Sequence, residues 1–166
     1  MGNTLVNTRD QRFILYEQIG IEKLFAVDKY ADYSAETVDM MLNEAEKMAV
    51  DDILPTYDVG DKETAVFADG KVTTPACFHP ALKTFNEAGW GCAIKDPEFG
   101  GQNLPLCVWS AVAEMFDSAN FAFMMYPGLT LGAAGLIEKY GTEEQKNTYL
   151  YKMLSGEWGG TMCLTE

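Results

Sequence analysis

A long apolar segment of the sequence, PLCVWSAVAEMFDSANFAFMM, runs from Pro105 to Met125. Apolar residues surround nearly the whole axis of a helix drawn through it: Val108, Trp109, Val112, Met115, Phe116, Phe121, Phe123 and Met124. Pro105 stands where a proline suits the first helical turn, because its missing N–H would have no partner there. A helix with so little polar surface is typical of the centre of a helical domain, so we predict a buried central helix.

The sequence on both sides of this stretch predicts further helices. Those before it span Arg9 to Gly20, Glu22 to Phe25, Ser34 (an N-cap) to Pro55, and Pro80 to Ala88. After it, Pro127 is expected to break the helix, and a second apolar helix follows from Gly128 to Tyr140. Thr142 and Gln145 form a capping box for a last helix, which Gly156 ends.

Two segments predict β structure. Asp69-Gly70 lies between two short β-prone runs and favours a tight type I′ hairpin. Trp158 to Thr165 is interpreted as a single strand at the end of the chain. A lone strand leaves its backbone groups unpaired, so either another chain pairs with it or the protein normally continues. The predicted class is therefore predominantly α, with a small β-hairpin and a terminal β-strand.

Charge and composition exclude several kinds of function. The chain has 166 residues, 48% of them apolar, and a net charge of −13. Residues 28–69 alone hold twelve acids and three lysines, which we interpret as a solvated acidic face in preference to a docking surface. So acidic a chain, with no basic stripe, is not expected to bind nucleic acid.

Metal binding and membrane insertion are not expected either. Cys77, Cys92, Cys107 and Cys163 are widely spaced, and His79 is the sole histidine. Zinc sites use close pairs of ligands, and a histidine that precedes a proline at a helix start favours a capping or surface role over catalysis. With no signal peptide and no run of about 18 apolar residues, a reducing cytoplasm is the expected location.

No catalytic motif stands out from residue spacing. The segment Gly128-Leu129-Thr130-Leu131-Gly132 lacks the third glycine and the preceding strand of a dinucleotide-binding loop. There is no nucleophile elbow and no P-loop lysine. On these grounds alone the sequence indicates a helical domain of unknown function.

Four blocks in order nevertheless resemble the acyl-CoA dehydrogenase family. They are Phe85-Asn86-Glu87-Ala88-Gly89-Trp90, Asp96-Pro97-Glu98-Phe99-Gly100-Gly101, the run from Tyr140 to Lys146 with Tyr149-Leu150, and the run from Ser155 to Glu166. The N-terminal part, from Arg9 through the Asp69-Gly70 hairpin, resembles a larger subgroup with an N-terminal extension and unusual acyl substrates. The resemblance implies an extension at 1–33, the family's N-terminal helical domain at 34–157, and the start of a middle β domain at 158–166.

The resemblance also implies an activity, which is the α,β-dehydrogenation of an acyl-CoA thioester with FAD as hydride acceptor. Electrons would pass to an electron-transferring flavoprotein, and full-length members are usually homo-oligomers. The family's catalytic carboxylate lies in a C-terminal domain that has no counterpart in this sequence. We therefore nominate no catalytic residue and expect the chain alone to be inactive.

Six residues match positions of the family's site. Leu164 and Thr165 match the strand that meets the flavin ring. Met124, Met125, Gly128 and Gly132 match the lining of the acyl pocket, although for the methionines a place in the core is nearly as well supported. Two glycines four residues apart leave out side chains that would shorten the pocket, so we expect it to be deep or wide.

Two alternatives to this interpretation stay open at the sequence level. One is a stand-alone helical module that binds a partner or a CoA ester without catalysis. The other is the N-terminal part of a related flavin oxidase or monooxygenase, since these enzymes share the same N-terminal helices.

Overall fold

The long helix around which the rest of the chain packs is α5, Leu106–Tyr140. The structure, a computed structural model, describes residues 4–161 and Cys163. Twelve residues of α5 are buried, which confirms the prediction of a central helix. Pro105 lies directly before its first residue and not within the first turn.

The predicted break at Pro127 is wrong, because α5 bends seven residues earlier. Asn120 has φ −163° and ψ 97°, while Pro127 lies inside the helix. The Asn120 side chain explains the bend, since its Oδ1 accepts the N–H of Phe123 at 3.1 Å and so caps the second half of the helix. Its Nδ2 donates to the Thr56 hydroxyl at 2.9 Å.

The chain before α5 is mostly helical, as predicted. It comprises α1 (Thr8–Arg12), a π-helical segment (Phe13–Ile19), 3₁₀ turns at Ile21–Ala26 and Asp28–Tyr30, α2 (Ala35–Met48), a second π-helical segment (Ala49–Ile53), α3 (Thr56–Glu63) and α4 (Phe78–Glu87). Ser34 caps α2 together with Thr37. Helix α3 was not predicted, because Pro55 ends one helix and the chain enters the next directly after it.

The hairpin at Asp69-Gly70 is confirmed. Strands β1 (Val66–Ala68) and β2 (Lys71–Thr73) pair antiparallel, with Phe67 opposite Val72. Asp69 and Gly70 have φ values of 51° and 74°, the left-handed pair that a type I′ turn requires. All residues of both strands are exposed.

After α5 the chain forms a short helical segment that packs against α5, which we call the C-terminal return. Its elements are α6 (Glu143–Gln145), a π-helical segment (Lys146–Leu150) and α7 (Tyr151–Leu154), opened by the predicted capping box of Thr142 and Gln145. Gly156, at φ 78°, ends it as expected. Residues 158–161 and Cys163 have no strand, so within the described residues the predicted terminal strand is not formed. The described part of this backbone bonds to α7 and α5.

The main core lies where α2, α4 and the first half of α5 meet. The Phe116 ring packs edge-on against Phe85 at 5.6 Å and Trp90 at 5.5 Å between centroids. Large side chains so buried contribute about 1.5–3 kcal/mol each. A smaller cluster of Ala134, Leu150, Met153 and Leu154 joins the second half of α5 to the C-terminal return.

The N-terminal segment is packed onto this bundle. Gln11 is 5% exposed, and its Nε2 donates to the carbonyl of Ala111 and the carboxylate of Glu114 on α5. Arg12 donates to Asp39 at 3.0 Å and to Asn43 at 2.8 Å, both on α2. Leu15 and Ile21 are buried in the main core.

By length and hydropathy alone, α5 could cross a membrane, which the sequence analysis did not anticipate. The core helix of a soluble protein passes the same test, and α5 buries part of its surface within this fold. This feature therefore does not show a membrane span.

Candidate functional site

The second half of α5 brings together three of the four residues that we predicted to line a pocket. Met125 is 42% exposed, and Gly128 and Gly132 lie on the same side of the helix. Met124 points elsewhere, because it is 7% exposed and belongs to the main core. We call the side that holds Phe121, Met125, Gly128, Gly132 and Leu136 the open face of α5.

The two glycines on the open face are not required by the packing of this domain. A Cβ atom built on Gly128 or Gly132 would meet no other atom within 4 Å. Glycine in a helix costs about 1 kcal/mol relative to alanine. Neither position has a positive φ, so neither steric nor conformational need within the described residues accounts for glycine there.

The open face is apolar although it faces outward. Phe121 and Leu136 are each 62% exposed. The sequence carries no charged residue between Asp117 and Glu138. A helix on a protein surface normally presents polar and charged side chains to water, so the open face has the character of a surface that something covers.

A shallow hollow extends the open face at the C-terminal end of α5. It holds about 350 Å³ and is lined by Leu136, Ile137, Tyr140, Gly141, Gln145 and Tyr149. Tyr140 is 70% exposed, so the hollow is accessible. Most of its lining residues are apolar. An extended apolar ligand could continue from the open face into this hollow.

In the sequence of α5, charged residues flank the stretch that carries the open face. At one end, partial burial raises the pKa of the Asp117 carboxyl. At the other, Glu138 pairs with Lys95, which ties α5 to the loop that follows α4. No carboxylate lies between them, so this stretch offers no group to act as a base.

Neither the Cys92 thiol nor a metal centre competes with this face in the part of the chain that the structure describes. Burial raises the pKa of the Cys92 thiol, which donates to the Gly100 carbonyl oxygen. A buried neutral thiol is inert. Residues 4–161 and Cys163 contain no group of three His, Cys, Asp or Glu side chains that could hold a metal ion.

Leu164 and Thr165, the two residues predicted to meet the flavin, lie outside the described residues. The segment leading to them crosses α5 at Thr130, where the N–H of Gly160 donates to the threonine hydroxyl at 3.0 Å. Sequence analysis did not single out Thr130, Gly159 or Gly160 individually. The adjacent glycines were the available signal, since glycine pairs often mark a close approach of two backbones.

Comparison with known proteins identifies close sequence relatives. Residues 35–157 match the family model described as acyl-CoA dehydrogenase, N-terminal domain. The chain is 37% identical to a butyryl-CoA dehydrogenase of Syntrophomonas wolfei over 99% of its length, and 35% identical to a broad-specificity linear acyl-CoA dehydrogenase of Mycobacterium tuberculosis over 100%. It is also 32% identical to a 3-methylmercaptopropionyl-CoA dehydrogenase of Ruegeria pomeroyi over 95%. It spans 27% of the length of each of these three relatives.

Proposed function

This chain belongs to the acyl-CoA dehydrogenase family of oxidoreductases, and we propose that it is the N-terminal part of an FAD-dependent enzyme. That enzyme would catalyse the α,β-dehydrogenation of an acyl-CoA thioester. Residues of the other parts of the enzyme would complete the site and supply the catalytic carboxylate. The 166-residue chain would then be inactive by itself.

The observation that carries this proposal is the open face of α5. A row of exposed apolar side chains with two glycines, free of charge from end to end, matches what an acyl chain needs from a pocket wall. The missing side chains at Gly128 and Gly132 leave room for the chain to lie close to the helix backbone.

The roles of this chain's own residues follow from that placement. Met125 and Leu136 would contact the acyl chain and exclude water, and the glycines would set how far the chain can extend. FAD, when bound, supplies the hydride acceptor, and Leu164 and Thr165 are the residues that we propose to contact it. None of the described carboxylates is proposed as the base.

The length of the pocket is the part of the proposal that substitution tests most directly. In the FAD-loaded full-length enzyme, Gly132→Leu should lower kcat/KM for dodecanoyl-CoA at least tenfold while changing that for butyryl-CoA less than threefold, about 1.4 against 0.6 kcal/mol. Ser110→Leu, in the first half of α5, adds a similar exposed side chain away from the open face and serves as the control. Equal losses for both substrates would contradict an acyl chain on this face.

We also propose that the pocket of the full-length enzyme is deep or wide. Wild-type enzyme should then turn over dodecanoyl-CoA or aryl-CoA thioesters at least as well as butyryl-CoA. A clear preference for butyryl-CoA over both would overturn this part of the proposal.

The remaining properties are proposed from family membership. Electrons would pass to an electron-transferring flavoprotein, and the full-length enzyme would form homo-oligomers. A cytoplasmic location is proposed separately, from the free cysteines. Electron transfer can be checked by mixing the substrate-reduced enzyme with that flavoprotein and following reoxidation of the bound FAD.

A further inference from the structure

Besides the core clusters, a backbone segment contacts α5 on the side away from the open face. After α7 the backbone turns back, with the N–H of Trp158 donating to the carbonyl oxygen of Lys152 at 2.9 Å. It then crosses the second half of α5 at Gly159 and Gly160, which we call the crossing segment. The N–H of Gly160 donates to Oγ1 of Thr130 at 3.0 Å.

The crossing segment touches α5 more closely than any side chain would allow. A Cβ atom on Gly160 would lie 2.7 Å from the Cβ of Ala133 and 2.7 Å from the Cε of Met153. A Cβ atom on Gly159 would collide with the ring and hydroxyl of Tyr126. Gly160, unlike Gly128 and Gly132, is required by close packing, whereas a Cβ atom on Gly159 would meet only the end of the exposed Tyr126 side chain.

Thr130 is the polar group at the centre of this crossing. It is 8% exposed, and its hydroxyl donates to the carbonyl oxygen of Tyr126 at 2.9 Å while accepting the N–H of Gly160. Both bonding directions of the hydroxyl are therefore used. Removing the hydroxyl would leave the Gly160 N–H without this partner in a partly buried place, which is costly.

The position of Thr130 on α5 connects this contact to the open face. Thr130 is two residues after Gly128 and two before Gly132. Residues two apart on an α-helix point to nearly opposite sides. The hydrogen bond between Thr130 and Gly160 therefore lies on the side of α5 away from the two glycines. A small rotation of α5 about its axis would move the open face while breaking the bond to Gly160.

We propose that Thr130 is a positioning residue that fixes the rotation of α5, and with it the presentation of Met125, Gly128 and Gly132 to the acyl chain. This inference rests on the proposed function of the open face. Thr130 touches neither the acyl chain nor the cofactor in this account and acts through the helix that carries it.

The test uses the FAD-loaded full-length enzyme with three variants. Thr130→Val keeps the shape of the side chain and removes the hydroxyl, and Thr130→Ser restores the hydroxyl. Thr148→Val is the matched control, because the Thr148 hydroxyl also donates to the carbonyl four residues earlier, that of Glu144, at 2.7 Å, but holds no crossing segment. Thr130→Ala replaces Thr130→Val if the valine variant yields no folded protein.

Two measurements separate positioning from loss of stability. The first is the ratio of kcat/KM for dodecanoyl-CoA to that for butyryl-CoA, taken well below the melting temperature of each variant. The second is the ratio of the Kd values of the corresponding dodecyl-CoA and butyl-CoA thioethers, which do not react, measured by calorimetry. Thr130→Val should change both ratios at least fivefold, while Thr130→Ser and Thr148→Val stay within twofold of wild type.

Ratios in Thr130→Val within twofold of wild type would overturn the inference, as would equal changes in Thr130→Ser. If wild-type enzyme itself neither binds thioethers nor oxidises either substrate, the proposed function fails and this inference fails with it. Wild-type turnover with unchanged selectivity in Thr130→Val would overturn the positioning role alone.

Discussion

At the level of single residues, the glycines of this chain occupy two opposite environments, open space and close packing. At Gly128 and Gly132 a side chain would point into open space. At Gly160 it would collide with Ala133 and Met153. The same residue type is thus dispensable for folding on the open face and necessary at the crossing segment.

This contrast predicts alanine substitutions of opposite sign. Gly132→Ala should raise the free energy of unfolding by about 0.5–1 kcal/mol, because alanine loses less backbone entropy in a helix and meets no neighbour. Gly160→Ala should lower it by about 1–3 kcal/mol, because the added methyl overpacks the contact with α5. Urea denaturation of the two variants and wild type measures both. Destabilisation by Gly132→Ala would show that the open face is already filled within this domain.

The raised pKa of Tyr16 predicts that the free energy of unfolding falls at alkaline pH. Burial, and then the nearby Asp39 charge, raise the pKa of the Tyr16 phenol from 10.0 to about 12, and its hydroxyl donates to the Ala35 carbonyl. The folded state therefore holds this proton where the unfolded state has lost it. The resulting stabilisation is complete below pH 10.0 and declines as the pH rises from 10.0 to about 12.

Replacing Tyr16 with phenylalanine should make the fall of stability across this range shallower. Urea denaturation at several pH values compares the two slopes, and ultraviolet titration of tyrosinate gives the pKa directly. The same titration in concentrated denaturant is the control, since the difference between the proteins should then be one tyrosine with an ordinary pKa. Identical alkaline slopes in Tyr16→Phe and wild type would refute this explanation.

At the scale of elements, the bend of α5 depends on one buried amide. Asn120 is 2% exposed, and it caps the second half of α5 through Phe123 while donating to Thr56 at the start of α3. The hydroxyl of Thr56 in turn donates to the Ile53 carbonyl at 2.6 Å. This short chain of hydrogen bonds links α3 to the point where α5 changes direction.

Asn120→Ala should therefore lower the free energy of unfolding by about 1–3 kcal/mol, from loss of the cap and of the buried bond to Thr56. Asn147→Ala, on an exposed helical position, should change it by less than about 0.5 kcal/mol. A double-mutant cycle with Thr56→Val should give a coupling of at least about 0.5 kcal/mol. Additive effects would mean that the two side chains do not act together.

The elements that could be predicted from sequence are those fixed by neighbouring residues. Asp69-Gly70 determines its hairpin locally, and Thr142 with Gln145 caps the last helix through bonds three residues apart. The bend at Asn120 could not be predicted, because it depends on Thr56, 64 positions away. Pro127 does not break α5, since a proline in a packed helix can be accommodated by its surroundings.

For the candidate site, the structure gives the positions of the predicted residues, while their role in lining an acyl pocket stays a prediction. Resemblance placed Met125, Gly128 and Gly132 on a pocket wall, and the structure brings these three to one accessible face. It did not distinguish Met124, because neighbouring positions on a helix differ in direction by about a quarter turn or more and only the packing shows which one enters the core. The contact of Thr130 could not be predicted, because its hydrogen-bond partner, Gly160, lies 30 residues away in the sequence.

At the scale of the whole molecule, the dominant feature is the net charge of −13. Most of it comes from residues 28–69, which include α2 and α3. Charges of one sign held in a compact fold repel each other and destabilise it relative to the expanded chain. The few ion pairs that are described, such as that of Arg12 with Asp39, offset only a small part of this repulsion.

Added salt should therefore stabilise the fold. Raising ionic strength from about 0.01 M to about 0.15 M shortens the Debye length from about 30 Å to about 8 Å, which screens repulsion across the acidic surface. We expect the melting temperature of the 166-residue chain to rise, equally with NaCl and KCl. A fall in both salts would mean that attractive ion pairs outweigh the repulsion.

The proposed division of the enzyme makes a second prediction at this scale. The 166-residue chain should oxidise no octanoyl-CoA with an artificial electron acceptor, because no carboxylate of the open face can serve as base and the remaining parts of the site are missing. The full-length enzyme is the positive control. Turnover by the 166-residue chain above the buffer rate would contradict the proposed division.

The most direct test of the central claim is an anaerobic titration of the full-length protein purified from its source cells. We expect that it carries FAD and that stoichiometric acyl-CoA bleaches the visible absorption of that flavin, with release of the enoyl-CoA product. Absence of bound flavin, or a flavin that butyryl-CoA, octanoyl-CoA and dodecanoyl-CoA all leave oxidised, would contradict it.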